Sequence, residues 1–220
     1  MIDDIYQAVF TVAEALELPV VLLALAALAA VIYETGAFVV ERIRRHRRSF
    51  PELARAAAVA RAALHDGDRA SVEAALVPVA WSRQMAGVLT AFAREAGKPG
   101  SEPRLAKQLA DFDFDGQRRL SRTRLLVRFG PALGLMGTLI PLSPALEGLA
   151  NGDVETLADN LRLAFSITVL GLLVGAAAFA LSLARDRIYA QDHSDLEYVA
   201  AVLTDPAPDP SSQLSGEASA

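Results

Sequence analysis

The chain has 220 residues, 53% of them hydrophobic and 21% charged, with a net charge of −5 and no cysteine. Without thiols there are no disulfides, thiolate metal sites or cysteine nucleophiles, and so modest a net charge argues for neither a nucleic-acid partner nor an acidic ligand. The totals conceal a segregation: three stretches are apolar enough to cross a bilayer, and the remainder is rich in Ala, Arg, Asp and Glu, which predicts an all-α, three-span transmembrane protein with helical extensions outside the membrane.

Residues 1–17 hold Asp3, Asp4, Glu14 and Glu17 and no Lys or Arg. A secretory signal needs basic residues before its apolar core, so the run at 18–40 is read as a retained first span preceded by an extracytoplasmic segment. Basic residues follow it at Arg42, Arg44, Arg45, Arg47 and Arg48. Residues 41–127 have a helical pattern. Two Ala-rich helices break at Asp66-Gly67-Asp68, with Pro51 in a favoured first-turn position, and a third stretch ends at Gly97 before Lys98-Pro99-Gly100. A fourth starts near Ser101, as a cap, and runs into the second span with a break expected near Gly116. The alternate Asp111, Asp113 and Asp115, with Phe between them, fit a solvated helix edge better than a metal site. No metal or cofactor is expected, and no catalytic constellation: His46, His65 and His193 are scattered outside the spans.

The second span is assigned to 128–150, the third to 161–184, with a loop at 151–160, a helix at 185–203 and a disordered Pro-, Ser- and acid-rich tail at 204–220. Arg118, Arg119, Arg122, Arg124 and Arg128 precede span two, whereas the loop carries Asp153, Glu155 and Asp159 and no basic residue before Arg162. Because cytoplasmic flanks collect Lys and Arg, the expected topology is N-terminus outside and C-terminus inside. Their position against apolar spans sets these arginines apart from a nucleic-acid patch.

Spans two and three carry small residues at helical spacing. Ala164, Thr168, Gly171, Gly175, Ala178 and Ser182 form one stripe, and Gly130, Gly134, Gly137 with Thr138, Pro141, Ala145 and Gly148 another. Two readings remain open: helix packing through close backbone approach, or a polar seam lined by Thr138 and Thr168, with span two bent at Pro131 and Pro141. Between Phe129 and Leu146, and between Leu163 and Ala184, there is no Asp, Glu, His, Lys or Arg. A proton path needs a titratable group near mid-membrane, so a second polypeptide would have to carry it. Glu34 lies about 24 Å along span one from Leu18 at helical rise, near the cytoplasmic interface, where snorkelling or pairing with Arg42 is expected rather than a part in transport. Glu147 and Arg162 flank the outer loop, placed to pair across it or to meet a partner.

The segment Gly130-Pro131-Ala132-Leu133-Gly134-Leu135-Met136-Gly137-Thr138-Leu139 resembles the Pro-x-x-Gly-Leu-x-Gly-Thr-Val signature of the MotA/TolQ/ExbB proton-channel family, and Leu163 to Gly171 resembles its third-span pattern. The likeness covers about Leu125 to Val202, and three spans with the large cytoplasmic part between the first two are similar to the TolQ/ExbB branch. The resemblance implies a homo-oligomeric ring of five copies in a bacterial inner membrane, surrounding the single-span helices of a TolR/ExbD-like partner whose membrane Asp carries the proton. It implies that Thr138 and Thr168 line the proton path, that Pro131, Gly134, Gly137, Pro141, Ala164, Gly171 and Gly175 pack the pore face, and that Glu147 and Arg162 mark its outer mouth. Proton flow would then become mechanical work on the cell envelope. Two departures stand out: Pro141 where the family commonly has Gly, and Leu163 where it commonly has an acid. They leave open a non-conducting scaffold, and the shared motifs leave open a sodium-driven member.

Overall fold

A computed structural model of the chain describes residues 2–45 and 48–205. The expected disordered tail, apart from Thr204 and Asp205, lies outside the described residues, as do His46 and Arg47. The described residues are helical throughout their regular structure: α1 (Ile2–Ala15), α2 (Glu17–Arg44), α3 (Phe50–His65), α4 (Arg69–Leu76), a 3₁₀ turn (Val77–Val79), α5 (Arg83–Glu95), α6 (Ser101–Ala150) and α7 (Val154–Thr204). Three helical stretches, Gln7–Arg44, Ser101–Ala150 and Val154–Thr204, are long and apolar enough to cross a membrane. The chain divides into two units, Met1–Glu41 with Gln117–Arg187, and Arg42–Gly116 with Ile188–Ala220.

In the first unit the N-terminal segment forms α1. It ends at Ala15 because Pro19 has no N–H to donate to the Ala15 carbonyl; Leu16 bridges the junction by donating to the Val12 and Ala13 carbonyls at 3.2 and 3.1 Å. Val20, Ala24, Ala27 and Val31 are buried along α2 at offsets of four, three and four, the stripe a helix presents to a packed neighbour. Ala27 and Val31 meet Leu133 of α6 with Val174 and Ala178 of α7 in one apolar cluster. The outward faces stay apolar and exposed, with Leu22, Leu25, Leu139, Phe165 and Leu172 among them, as lipid contact requires.

The second unit has its own core. Leu53, Ala57 and Ala60 of α3 pack with Val72 and Leu76 of α4, Met85, Leu89 and Phe92 of α5, and Leu196 and Val199 of α7. The Asp66-Gly67-Asp68 break falls where the sequence places it: Gly67 takes a φ of 74°, and Asp68 caps α4 by accepting from the Ala70 and Ser71 amides at 3.1 and 3.2 Å. The break expected near Gly116 does not form, and α6 continues through it. A Cβ added at Gly116 would meet the Tyr189 ring of α7 at 3.6 Å, so the ring covers a glycine that would otherwise weaken the helix.

The hydrogen bond from the Ser71 hydroxyl, with the two amides, holds the Asp68 carboxyl below its usual value. A depressed folded-state pKa means that the cap's contribution is complete above the ordinary Asp value of 3.8 and is lost as pH falls through the folded one. Asp68→Asn, which keeps the acceptor without the charge, is therefore expected to flatten the acid limb of the helical unit's melting curve relative to wild type. Identical acid limbs would show that the cap does not contribute to it.

Candidate functional site

The two small-residue stripes face each other. A Cβ placed on Gly171 would lie 2.5 Å from the Gly130 carbonyl oxygen and 2.8 Å from Gly134 Cα, and one on Gly130 would lie 2.7 Å from both the Gly171 oxygen and the Gly175 nitrogen. Further along, Gly134 is against the Thr168 backbone, Gly137 against the Ile167 side chain, and Gly175 against the Pro131 ring, whose Cδ a Cβ would meet at 2.8 Å. Ala164, Ala178 and Ala145 are likewise buried, and so is Pro141. Of the two readings the stripes allowed, close packing of α6 on α7 within one chain is what these glycines do here. Pro131 and Pro141 sit inside α6, assigned as one continuous helix. Each removes the donor to a carbonyl one turn back, and the carbonyl oxygen released by Pro131, on Val127, would lie 3.6 Å from a Cβ placed on Gly175.

The two threonines belong to this seam in different ways. Thr168 Oγ1 lies 2.9 Å from the Ala164 carbonyl of its own helix and 3.2 Å from the Gly134 carbonyl of α6, so its single proton serves one or the other. Thr138 Oγ1 donates to the Leu135 carbonyl of its own helix at 2.7 Å, with no hydrogen bond to α7 among the described residues. Both hydroxyls thus donate to backbone carbonyls, and each oxygen keeps its lone pairs for an acceptor role.

At the loop end Gly152, at a φ of 75°, lets the chain turn out of α6, and Asp153 caps α7 by accepting from the Thr156 amide and hydroxyl at 3.0 and 2.5 Å. Those hydrogen bonds, the hydroxyl's first, hold the Asp153 carboxyl below its usual range. Glu147 and Arg162 do not pair across the loop. Arg162 reaches Asp159 at 3.2 Å on its own helix, both side chains well exposed, and Glu147 is exposed.

At the opposite end the structure adds a cluster. Glu34 of α2 pairs not with Arg42 but with Arg185 of α7, Oε2 to Nη1 at 2.5 Å, with side chains 18% and 6% exposed. Arg185 also donates to Thr123 Oγ1 of α6 at 3.0 Å and to the Glu34 carbonyl at 3.2 Å. One guanidinium thereby ties together all three spans, and an arginine that marked orientation in the sequence is also a buried structural charge. Sequence spacing favoured Arg42 because it lies two turns along the same helix; nothing local points to a residue in α7. Among the described residues no group of three or more His, Asp or Glu side chains is placed to hold a metal ion.

Three long apolar helices, two joined backbone to backbone through glycine and free of ionisable groups along the seam, define a multi-pass helical membrane protein. The chain belongs to the MotA/TolQ/ExbB proton channel family, whose model matches residues 84–194, half of its length. No curated protein and no solved structure matches it.

Proposed function

We propose that the chain is a proton-channel subunit of an ion-driven membrane motor, forming a ring around the transmembrane helices of a TolR/ExbD-like partner in the bacterial inner membrane, N-terminus out and C-terminus in. Family membership supports the class. The observation that carries the mechanism is the state of the two hydroxyls on a seam with no titratable group: Thr138 and Thr168 spend their protons on backbone carbonyls and present oxygen lone pairs. A carboxylic acid crossing a low-dielectric region must travel protonated, and its O–H then needs an acceptor. Two threonine oxygens on the walls supply that acceptor without competing for the proton. The partner's acid is the carrier, and this chain provides the track. On this reading Glu147 and Arg162, at the loop end, form the outer mouth.

The test is proton flux into liposomes holding this chain with its candidate partner. Thr138→Val with Thr168→Val is expected to lower flux about five- to 150-fold, the factor that losing a hydrogen bond worth about 1–3 kcal/mol gives. Removing the partner's membrane acid should abolish it. Flux unchanged by the valines would remove the hydroxyls from the path; flux restored by sodium in place of protons would make this a sodium-driven member. A stable assembly passing neither ion would make it a scaffold.

A further inference from the structure

A groove of about 450 Å³ runs between α2 and α6 at the end of the spans where the arginines gather. Ala30 and Tyr33 form its α2 wall and Leu125, Leu126 and Phe129 its α6 wall, so its surface is almost wholly carbon. The two helices run in opposite directions, placing Ala30 and Phe129 at the deep end and Glu34 and Arg122 at the other. From Phe129 to Arg122 is about 10 Å at helical rise. The groove is thus apolar along its length and charged at one mouth.

The charge at that mouth is positive. Glu34 is neutralised by Arg185 at 2.5 Å, whereas the Arg122 guanidinium, exposed, makes no ion pair or hydrogen bond among the described residues. Arg118 and Arg119 stand one turn before it on α6 with their side chains also exposed. The basic residues of this unit therefore divide into those that hold the fold, as Arg185 does, and those left facing outward.

We infer that this groove binds an anionic glycerophospholipid of the leaflet on the arginine side, its phosphate on Arg122 and one acyl chain along Leu125, Leu126 and Phe129. An occupant must bring hydrocarbon and negative charge together in that order of depth. A second copy of this chain would have to bring both hydrocarbon and an acid to this depth, and the acids nearest it in this unit are engaged: Glu34 and Asp186 are already paired and Glu41 is not free. A membrane lipid supplies both parts and is always present at that depth. Three neighbouring guanidiniums favour a headgroup without an ammonium. The inference depends on the helices spanning a bilayer and not on conduction.

The experiment uses the full chain in nanodiscs of phosphatidylcholine containing a trace of phosphatidylglycerol with a diazirine on its acyl chain. After irradiation, the label is mapped by peptide. Labelling is expected at Ala30–Tyr33 and Leu125–Phe129 well above that at Leu22–Leu25, the exposed face of the same α2. Arg122→Gln, at an exposed position, should lower it about fivefold, the factor that about 1 kcal/mol per basic side chain near a membrane surface gives. Ala30→Trp, which fills the groove, should remove it. A diazirine phosphatidylcholine should label the groove no more than Leu22–Leu25. Equal labelling of both faces, or a groove signal indifferent to Arg122→Gln, would reduce the groove to ordinary lipid contact and overturn the proposal. A groove left unlabelled while Leu22–Leu25 is labelled would mean that protein covers it, and no label anywhere would sink the membrane-spanning reading as well.

Discussion

Gly171→Ala is expected to destabilise the α6–α7 pair by about 2–3 kcal/mol, at the upper end of what overpacking costs, and Gly171→Leu to prevent the pair from closing. The added Cβ would lie 2.5 Å from the Gly130 carbonyl oxygen and 2.8 Å from Gly134 Cα and nitrogen. These are backbone atoms of a helix, so no side-chain rotation relieves the clash; α6 and α7 must move apart, and every glycine contact along the seam loosens together. Gly134→Ala, whose Cβ would meet Thr168 backbone atoms at 3.3 and 3.4 Å, should cost less. Gly36→Ala on α2, with nothing within 4 Å, should raise stability by about 0.5–1 kcal/mol, since Gly is the poorer helix former. Thermal unfolding of the purified protein in one detergent gives the order directly. A melting temperature for Gly171→Ala at or above that of Gly36→Ala would mean that the seam is not closed.

How far the sequence foretells this structure depends on whether the information is periodic and local. The apolar runs are, and so are the Asp66-Gly67-Asp68 break, where Gly67 supplies the left-handed turn and Asp68 the cap, and the stop before Lys98. The glycine stripes are legible as faces, but a stripe does not name its partner: the spacing that packs α6 on α7 inside one chain would equally face a second copy or a pore. The unbroken course of α6 through Gly116 is not legible, because what packs there, the Tyr189 ring, is more than seventy residues away in sequence. Nor is the Glu34–Arg185–Thr123 cluster. The post-span arginines carry a second message besides orientation: Arg45 and Arg48 are three apart, as are Asp192 and Asp195. That matched spacing is the sequence signal for the ion pairs that join them, and reading the arginines only for topology passes over it.

Those pairs carry the second large prediction. Asp192 is 5% exposed; it forms an ion pair with Arg45 and accepts from the Trp81 indole nitrogen at 2.9 Å. Arg45 in turn donates to the Ile188 carbonyl at 3.1 Å, and Arg48 pairs with Asp195 at 2.8 Å while its guanidinium stands 5.6 Å over the Trp81 ring. Asp192→Ala removes one buried counter-charge from an arginine only 10% exposed and the acceptor from a buried indole in one step. Breaking a buried ion pair from one side costs about 3–5 kcal/mol, because the charge left behind keeps its desolvation penalty. The second unit is expected to lose stability by that amount, with the first unit's spans still inserted. Asp195→Ala should cost less, since Arg48 is 25% exposed and can turn to water. Trp81 is the chain's one tryptophan, so its emission reports this cluster alone. In Asp192→Ala it should shift to the red and become accessible to a soluble quencher at temperatures where wild-type emission is unchanged. Asp192→Asn separates the two roles: it keeps an acceptor for the indole and withdraws the charge. If Asn restores the emission but not the melting temperature, the ion pair carries the stability and the indole bond only orients the ring. If Asp192→Ala leaves both unchanged, the cluster contributes nothing to holding α7 against the helices that precede span two.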